Sequence, residues 1–403
     1  MFRDGVWHQL GYNLHKAAKE LVEHGIGEGC ILSAGDAEFS QHSRNAKMLR
    51  SAGSQVVIDT QFHTPSVTNA RITSYPFNEA RLLVTEEHRA GLLQLDQIAA
   101  AIEAVNREIN AAAVLAPTLI YEAGRPEIAD LNGKLFTAAK IAGDALGVPT
   151  FATVSLDRAV LAAESELDRS MSHASSLGAD GFYLCVEFSD SKIASTLHEL
   201  TAFGRACLHL ALMEKPLLHG YAGPMSILSP GFGASSVGLC AYLSMWQFSR
   251  DRLEPSEGGG RKHPPRFFSK SLWSRVVIPD DLHFMGPELR EQVLYHSPFS
   301  EILKEADLSA VKWPRGQTEK HQVYVIGETV SGLLKVEGVR NRAEAANRFL
   351  DNAKMGHEHL KAHGISLRSI DETNFHATWM KALDSLLKTR LDDYDLLELL
   401  ADD

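Results

Sequence analysis

The chain has 403 residues, of which 44% are hydrophobic and 23% charged, and its formal net charge at pH 7 is −11. This composition indicates a globular protein with one large core and an appendage, and it excludes a disordered or fibrous chain. The negative charge argues against a protein that coats nucleic acid by bulk electrostatics, although it does not describe local patches.

Apolar runs and cysteines indicate the compartment. Residues 1–11 are too polar for a signal peptide, and no later run is long enough to span a membrane, so we expect a cytoplasmic protein without a membrane partner. The four cysteines lie among apolar neighbours without a CxxC pair. This pattern fits reduced core thiols better than disulfides or a zinc cluster.

The apolar pattern predicts a helix over residues 7–23 and then seven strands. The strands are expected at residues 30–34, 55–58, 112–121, 149–156, 181–186, 217–221 and 234–240. Amphipathic helices are predicted between most of them, over residues 92–109, 129–146, 159–177 and 195–213. Apolar strands that alternate with helices are typical of parallel sheets with crossover connections.

This order favours a (β/α)8 TIM-like barrel with a mainly helical C-terminal extension, and a doubly wound open sheet is the alternative. The eighth strand is expected at residues 82–85 or 276–278, and an aromatic-rich helix with basic residues is expected to end the barrel at about residue 252. We divide the chain into a barrel of residues 1–252 and a C-terminal region of residues 253–403. That region is expected to contain a basic loop and long helices at residues 343–363 and 375–397.

Basic residues are concentrated between residues 250 and 275, with aromatic residues interleaved. The candidates for phosphate contacts are Arg250, Arg261, Lys262, Arg266 and Lys270. Such a stretch is typical either of a phosphate-binding surface or of a solvated linker with a hydrophobic anchor. The glycines at residues 258–260 are not followed by GK[ST], which argues against a nucleotide-binding phosphate loop.

Three carboxylates follow predicted strands directly and are the candidate catalytic residues. Asp59 comes after the run Val56, Val57 and Ile58, while Asp157 and Glu187 leave the fourth and fifth predicted strands. Parallel barrels carry their chemistry on the loops after the strands, so these acids are expected around one mouth. Each has a structural alternative: Asp59 as a loop cap, the other two as ion-pair partners of Arg125 or Arg158.

Other polar and aromatic residues at the predicted strand ends are candidates for substrate binding. They are Asp36, Gln61, Phe62, His63, Tyr121, His219, Gly220, Tyr221 and Gly223. A single histidine within a strand is more often a core group than a catalyst, so His219 is the weaker candidate. The histidines form no HExxH pattern, and neither a metal nor a cofactor is expected.

Two stretches resemble the tRNA-guanine transglycosylases. The run LLHGYAGPMSILSPGFGASSVGLC is similar to the glycine-rich late-barrel region of that family, with Gly220 and Gly223 matching its glycines. The run VVIDTQFHTP is similar to the family motif Asp-Ser-Gly-Gly-Phe-Gln, so that Asp59 corresponds to the aspartate beside the target base. The resemblance implies a TIM barrel that takes a base out of a polynucleotide and acts at its N-glycosidic bond.

Two departures from the family change the expected reaction. Residues 234–239 contain no carboxylate where the family has its nucleophile, and the family's Cys-x-Cys-x-x-Cys zinc motif is absent. The resemblance then implies hydrolysis to an abasic site, with Asp59 stabilising the cationic sugar and Glu187 protonating the leaving base. An aromatic residue such as Phe62 or Tyr221 receives the flipped base.

The expected partner is nucleic acid, DNA more than RNA, and a defence role against foreign DNA with modified bases is a natural hypothesis. Three alternatives remain open. They are base exchange on tRNA or DNA, a small-molecule TIM-barrel lyase or hydrolase, and a barrel that only binds nucleic acid or a partner.

Overall fold

The computed structural model describes residues 1–63, 71–79, 81, 94–189, 193–194, 196–250, 266–278, 280–295, 297–301, 315–367 and 375–401. Its centre is one sheet of eight parallel strands. The strands are β1 (Gly5–Gln9), β2 (Gly29–Ser33), β3 (Gln55–Asp59), β4 (Val114–Leu115), β5 (Thr150–Leu156), β6 (Gly181–Val186), β7 (Leu217–Ala222) and β8 (Ser236–Leu239). Their order is β3-β2-β1-β8-β7-β6-β5-β4.

The two edge strands of this sheet meet, so the sheet is a nearly closed barrel. The amide of Ala112, just before β4, donates to the carbonyl of Val56 in β3 over 2.9 Å. Connections between most consecutive strands contain helices, as parallel pairing requires. The predicted (β/α)8 barrel is thereby confirmed, and the open doubly wound sheet is wrong.

The strand that sequence analysis missed is the first one. β1 pairs with β2 on one side and β8 on the other, with Trp7 opposite Gly29 and Gly238. The predicted helix over residues 7–23 is therefore wrong in its first half, and a helix begins only at His15. Trp7 is fully buried and packs on Gly29, where an added side chain would lie 2.3 Å from the Trp7 ring.

Three other predicted elements differ in the structure. Residues 276–278 belong to a separate antiparallel pair outside the barrel, and residues 82–85 lie outside the described ranges. β4 stops at Leu115 because Pro117 has no N–H for a ladder, and only Tyr121 bridges to β5 again. After β8 the chain forms a short 3-10 turn, Leu243–Met245, in place of the predicted aromatic helix.

Helices surround the barrel. In chain order they are α1 (His15–Glu23), α2 (Phe39–Ser51), α3 (Leu95–Ile109), α4 (Glu127–Leu146), α5 (Arg158–Ala162), α6 (Glu164–Ser176) and α7 (Leu197–Ala211). The connection between β7 and β8 has only two 3-10 turns, Pro224–Ile227 and Ser229–Phe232. This connection therefore provides no helix to pack on the outer face of β7 and β8, and another part of the chain must bury that face.

The C-terminal region supplies this cover. It contains the hairpin β9 (Arg266–Ser269) and β10 (Ser274–Val277) and the helices α8 (Asp280–His283), α9 (Pro287–Val293), α10 (Arg315–Leu334), α11 (Val339–Ala362), α12 (Phe375–Thr389) and α13 (Leu391–Ala401). Gly231 packs on Ala343 of α11 so closely that a side chain would lie 2.7 Å from the Ala343 Cα. The helices α10, α11, α12 and α13 share one apolar core with the barrel, while α8 and α9 pack with the hairpin in a second, smaller cluster.

The predicted domain boundary at residues 252 and 253 lies outside the described ranges and stays a prediction. All four cysteines are buried and unpaired. Among the described helices, none combines the length and the apolar content that a membrane span needs.

Candidate active site at the barrel mouth

The carboxylate of Asp59 is held at the mouth of the barrel. Asp59 ends β3 and is only 4% exposed. Its Oδ1 accepts the amide N–H of Gln61 over 2.9 Å, and its Oδ2 accepts the hydroxyl of Tyr221 over 2.8 Å. The two hydrogen bonds thus fix the orientation of the carboxylate. They also bring two of the predicted substrate-binding residues, Gln61 and Tyr221, into contact with the predicted catalytic residue Asp59.

The backbone at both partners of Asp59 is in the left-handed region. Gln61 has φ 56° and Tyr221 has φ 52°, which costs a non-glycine residue on the order of 1–3 kcal/mol. In β7 the register with β8 shifts between His219 and Ala222, and a bulge of this kind redirects a side chain. Strain of this type persists where the surrounding structure imposes it, and it concentrates at functional sites.

A second polar layer connects three strands at the mouth. The hydroxyl of Tyr183 in β6 donates to Gln9 Oε1 over 2.9 Å, and Gln9 Nε2 donates to Ser33 Oγ over 3.2 Å. Burial raises the pKa of Tyr183, and the charge of Asp59 raises it further. Sequence analysis missed these three residues, and Gln9 was hidden by the wrong helix.

The predicted binding glycine Gly220 makes room for this layer. A side chain on Gly220 would lie 2.3 Å from the Tyr183 ring. Gly223 has the same relation to Trp246, whose Cγ would lie 2.5 Å from an added Cβ. Both glycines therefore allow an aromatic ring to pack on the exit of β7.

Aromatic rings line one side of the mouth. Phe248 packs edge to face against Tyr221, with ring centroids 5.5 Å apart, and against His63 at 4.6 Å. The indole N–H of Trp246 is buried and has no hydrogen-bond partner among the described residues. Phe62 packs instead against Phe77, in the core.

A cluster of three carboxylates around one arginine forms the other side; we call it the Arg250 cluster. Arg250 donates to Glu187 at 2.8 and 3.1 Å and to Glu122 at 3.2 Å, and its Nη2 lies 3.6 Å from Asp157 Oδ2. These acids follow β6, β4 and β5. The hydrogen bond to Glu187 is the main cause that raises the pKa of Arg250.

The Arg250 cluster gives the predicted acids a different partner from those expected. Arg125 pairs with Glu122 and Glu127, at 3.0 and 2.9 Å, and Asp157 also caps α5 through the amide of Val160 at 2.8 Å. The carboxylates of Asp157 and Glu187 do converge on one side of the mouth. An arginine-bound carboxylate accepts hydrogen bonds, so Glu187 is not set up as a proton donor in this state.

The remaining predicted residues lie apart from Asp59 and the Arg250 cluster or are engaged elsewhere. Tyr121 is hydrogen-bonded to His173 of α6 at 2.8 Å, and His219 is a core residue hydrogen-bonded to Ser229 at 2.8 Å. Burial lowers the pKa of His219 to about 3. Asp36 is buried in the loop after β2.

Two of the predicted phosphate-binding residues have acidic partners. Arg250 belongs to the cluster above, and Lys270 pairs with Glu328 at 2.9 Å. Arg266 begins β9 and is half-buried, while Arg261 and Lys262 lie outside the described ranges. In the part of the chain that the structure describes, no group of three or more His, Cys, Asp or Glu residues is arranged to hold a metal ion.

Comparison with known proteins does not assign the chain to a family. No protein-family model and no curated protein matches the chain. Among solved structures, the crystal structure of 2,3-dimethylmalate lyase, a PEP mutase/isocitrate lyase superfamily member, is similar. The identity is 14% over 59% of this chain and 75% of that chain, with a TM-score of 0.36. A likeness this distant carries no argument about function, and the chain is described here as a (β/α)8 barrel.

Proposed function

We propose that this barrel is an enzyme that hydrolyses the N-glycosidic bond of a nucleic-acid base, a modified base in DNA above all, and leaves an abasic site. The observation that carries the proposal is the buried carboxylate of Asp59, fixed at the barrel mouth by Tyr221 and Gln61. Loss of a base leaves positive charge on the sugar, and an oriented carboxylate stabilises or traps such a cation. The resemblance of two stretches to the tRNA-guanine transglycosylases points to the same bond.

The reaction breaks the bond between the sugar C1′ and the base nitrogen, and the electron pair leaves with the base. Water adds to C1′ as the Asp59 carboxylate stabilises the cation, and the departing base takes up a proton. Glu187 donates that proton only if substrate binding displaces Arg250, since the resting ion pair keeps Glu187 as an acceptor. Glu187 therefore becomes available as a proton donor only when substrate occupies the mouth and Arg250 has moved away from it.

The aromatic side of the mouth supports binding of a flat base. The ring of Phe248 packs against those of Tyr221 and His63, and together they offer an apolar wall to a base taken out of its stack. The unpaired indole N–H of Trp246 offers a donor to a carbonyl or ring nitrogen of that base. Binding of the flanking phosphates is assigned to the basic stretch around Arg261 and Lys262. Cleavage of foreign DNA in defence is an extension of the same proposal.

One observation favours a second candidate, a small-molecule hydrolase or lyase. The Arg250 cluster sets three carboxylates against one arginine, so this side of the mouth is acidic and repels phosphate groups. A neutral substrate such as a free nucleoside avoids this repulsion. Base exchange is the third candidate reaction. It is distinguished from hydrolysis because an added free base is incorporated into the nucleic acid.

The test uses the full chain with DNA and RNA oligonucleotides that carry modified or unmodified bases, and with free nucleosides. Chromatography measures the released base, and alkali cleavage measures abasic sites. We expect Asp59→Asn to lower the rate by roughly 10²–10⁴-fold, the usual worth of such a group. The matched control is Asp180→Asn, an aspartate before β6 at the opposite end of the barrel, which accepts the Thr150 amide at 2.8 Å.

Unchanged activity in Asp59→Asn removes the proposed mechanism. Activity on free nucleosides alone, without salt-dependent polynucleotide binding, supports the second candidate. Base incorporation into the oligonucleotide supports exchange in place of hydrolysis.

A further inference from the structure

A cavity opens at the end of the barrel opposite Asp59. It lies where the first residues of β1 and the loop before β2 face α10 and the start of α11, and its volume is ≈ 490 Å³. Ligand sites for small molecules commonly have volumes of about 300–1,000 Å³. Gly25 and Gly332 border its open space, since a side chain added at either would meet no atom within 4 Å.

Two cations that line this cavity, Arg342 and Lys335, keep donors that no described residue accepts. Arg342, in the first turn of α11, uses only its Nε, which donates to the carbonyl of Val336 over 2.7 Å. Among the described residues, neither the two terminal nitrogens of Arg342 nor the ammonium of Lys335 makes a hydrogen bond or an ion pair. Arg342 is half-buried, and burial lowers its pKa, while the negative charge of Asp4 across the cavity acts in the opposite direction. A desolvated guanidinium with unused donors favours an anion.

The acids of the same cavity, in contrast, already have partners. Glu328 accepts Lys270 at 2.9 Å and the hydroxyl of Tyr295, and Glu28 pairs with Arg3 at 3.3 Å. Asp4 Oδ1 accepts the hydroxyl of Ser235 at 2.6 Å. The cavity therefore offers unused positive charge on one wall and carboxylate oxygens on the other.

We propose that this cavity binds a small molecule with one anionic group, a carboxylate or a phosphate, held by Arg342 and Lys335. Hydroxyl groups at the other end of the ligand donate to Asp4 and Glu28. The glycine-lined rim allows such a ligand to approach the backbone at Gly25 and Gly332. This site is independent of the chemistry at the Asp59 mouth.

The test is calorimetric titration of the full chain, at constant ionic strength, with ribose 5-phosphate, ribonate and ribose. These probes share a carbon skeleton and differ in the charged group, so they separate phosphate, carboxylate and neutral ligands. We expect one or both anions to bind with a Kd below about 1 mM, and ribose not to bind in that range. Arg342→Gln and Lys335→Gln are each expected to weaken binding about tenfold, since each removes a charge-assisted hydrogen bond.

The matched control is Arg340→Gln, two residues before Arg342 on the same helix. Arg340 pairs with Asp395 at 3.4 Å and does not line the cavity, so its variant should bind as the parent chain does. Lys335 is exposed, so its variant is expected to fold, which thermal melting checks. Failure of both anions to bind, or equal weakening by Arg340→Gln, overturns the proposal.

Discussion

The hydroxyl of Tyr221 in β7 donates to Oδ2 of Asp59 in β3 over 2.8 Å, although three strands separate β7 from β3 along the sheet. The bond therefore crosses the barrel at the end where the strands terminate. Gln61 Nε2 lies 3.3 Å from the same hydroxyl, and Gln61 Oε1 accepts the amide of Gly35 at 2.7 Å. The exits of three strands, β2, β3 and β7, are thus joined in one network whose centre is a carboxylate.

Tyr221→Phe tests this network. The variant keeps the ring against Phe248 and removes only the hydroxyl that orients Asp59. Hydrogen bonds to charged groups contribute about 1.5–3 kcal/mol, so we expect the rate of base release to fall roughly 10- to 100-fold. Steady-state kinetics should show the loss in kcat, with a changed pH profile.

The control for this variant is Tyr394→Phe. The Tyr394 hydroxyl donates to the carbonyl of Gly231 at 2.9 Å, in the core beneath α13 and away from the mouth. It should cost about 1 kcal/mol of unfolding free energy and leave the rate unchanged. Equal rates for Tyr221→Phe and the parent chain would contradict a role for the network.

Much of the barrel follows from the sequence because its strands are buried on both faces. β5 and β6 read as continuous apolar runs with clear ends, and the structure places them within a residue of the prediction. β1 does not read this way, since Trp7, Leu10 and Leu14 have helical spacing and the strand contains His8 and Gln9. Only the pairing with β2 and β8 decides between strand and helix there.

The site was predictable only in part. Asp59 was found because it follows an apolar run, and the position after a strand fixes which end of the barrel it faces. The inward turn of Tyr221 depends on a bulge in β7 that no local pattern signals. The pairing of Glu187 with Arg250 joins residues 63 positions apart through a tertiary contact, which composition alone does not reveal.

Gly220→Ala tests the packing beneath the site. The new methyl group would lie 2.3 Å from Tyr183 Cε2, so Tyr183 must move and its bond to Gln9 is lost. Overpacking of this kind costs about 1–3 kcal/mol, measured as the change in unfolding free energy by urea titration.

The control for Gly220→Ala is Gly332→Ala in α10. The space beside Gly332 is open, so alanine should stabilise the helix by about 0.5–1 kcal/mol. Unaltered stability of Gly220→Ala would contradict the tight contact.

Buried histidines should make the protein sensitive to acid. Burial lowers the pKa of His8 to about 4 and the pKa values of His42, His219 and His376 to about 3. Above pH 6.5 these groups are neutral in both states and do not affect stability. Below it the unfolded chain binds protons that the folded chain does not, so each histidine lowers the unfolding free energy by about 1.4 kcal/mol per pH unit.

Urea titrations between pH 7.5 and pH 4.5 measure this slope, which the four groups together make about 5 kcal/mol per pH unit. His219→Gln should reduce the slope by about a quarter. Phe203→Leu alters the ring that packs on His219, at a centroid distance of 4.7 Å, without removing an ionisable group. It should lower stability equally at every pH, and an equal slope in His219→Gln and the parent chain would contradict the assignment.

Arg250→Met tests the Arg250 cluster, because it leaves Asp157 and Glu187 close together without a cation, while Glu122 keeps its pair with Arg125. Removal of one partner from a well-buried ion pair costs about 3–5 kcal/mol, and the 36% exposure of the Arg250 side chain reduces this to about 1–3 kcal/mol at pH 7. In a Glu187→Gln background the same substitution should cost less, which a double-mutant cycle measures as coupling.

The control is Arg125→Met. Arg125 forms a more exposed pair with Glu127, so its replacement should cost under about 1 kcal/mol. Absence of coupling in the cycle, or equal losses at the two arginines, would mean that the cluster does not act as a charge network.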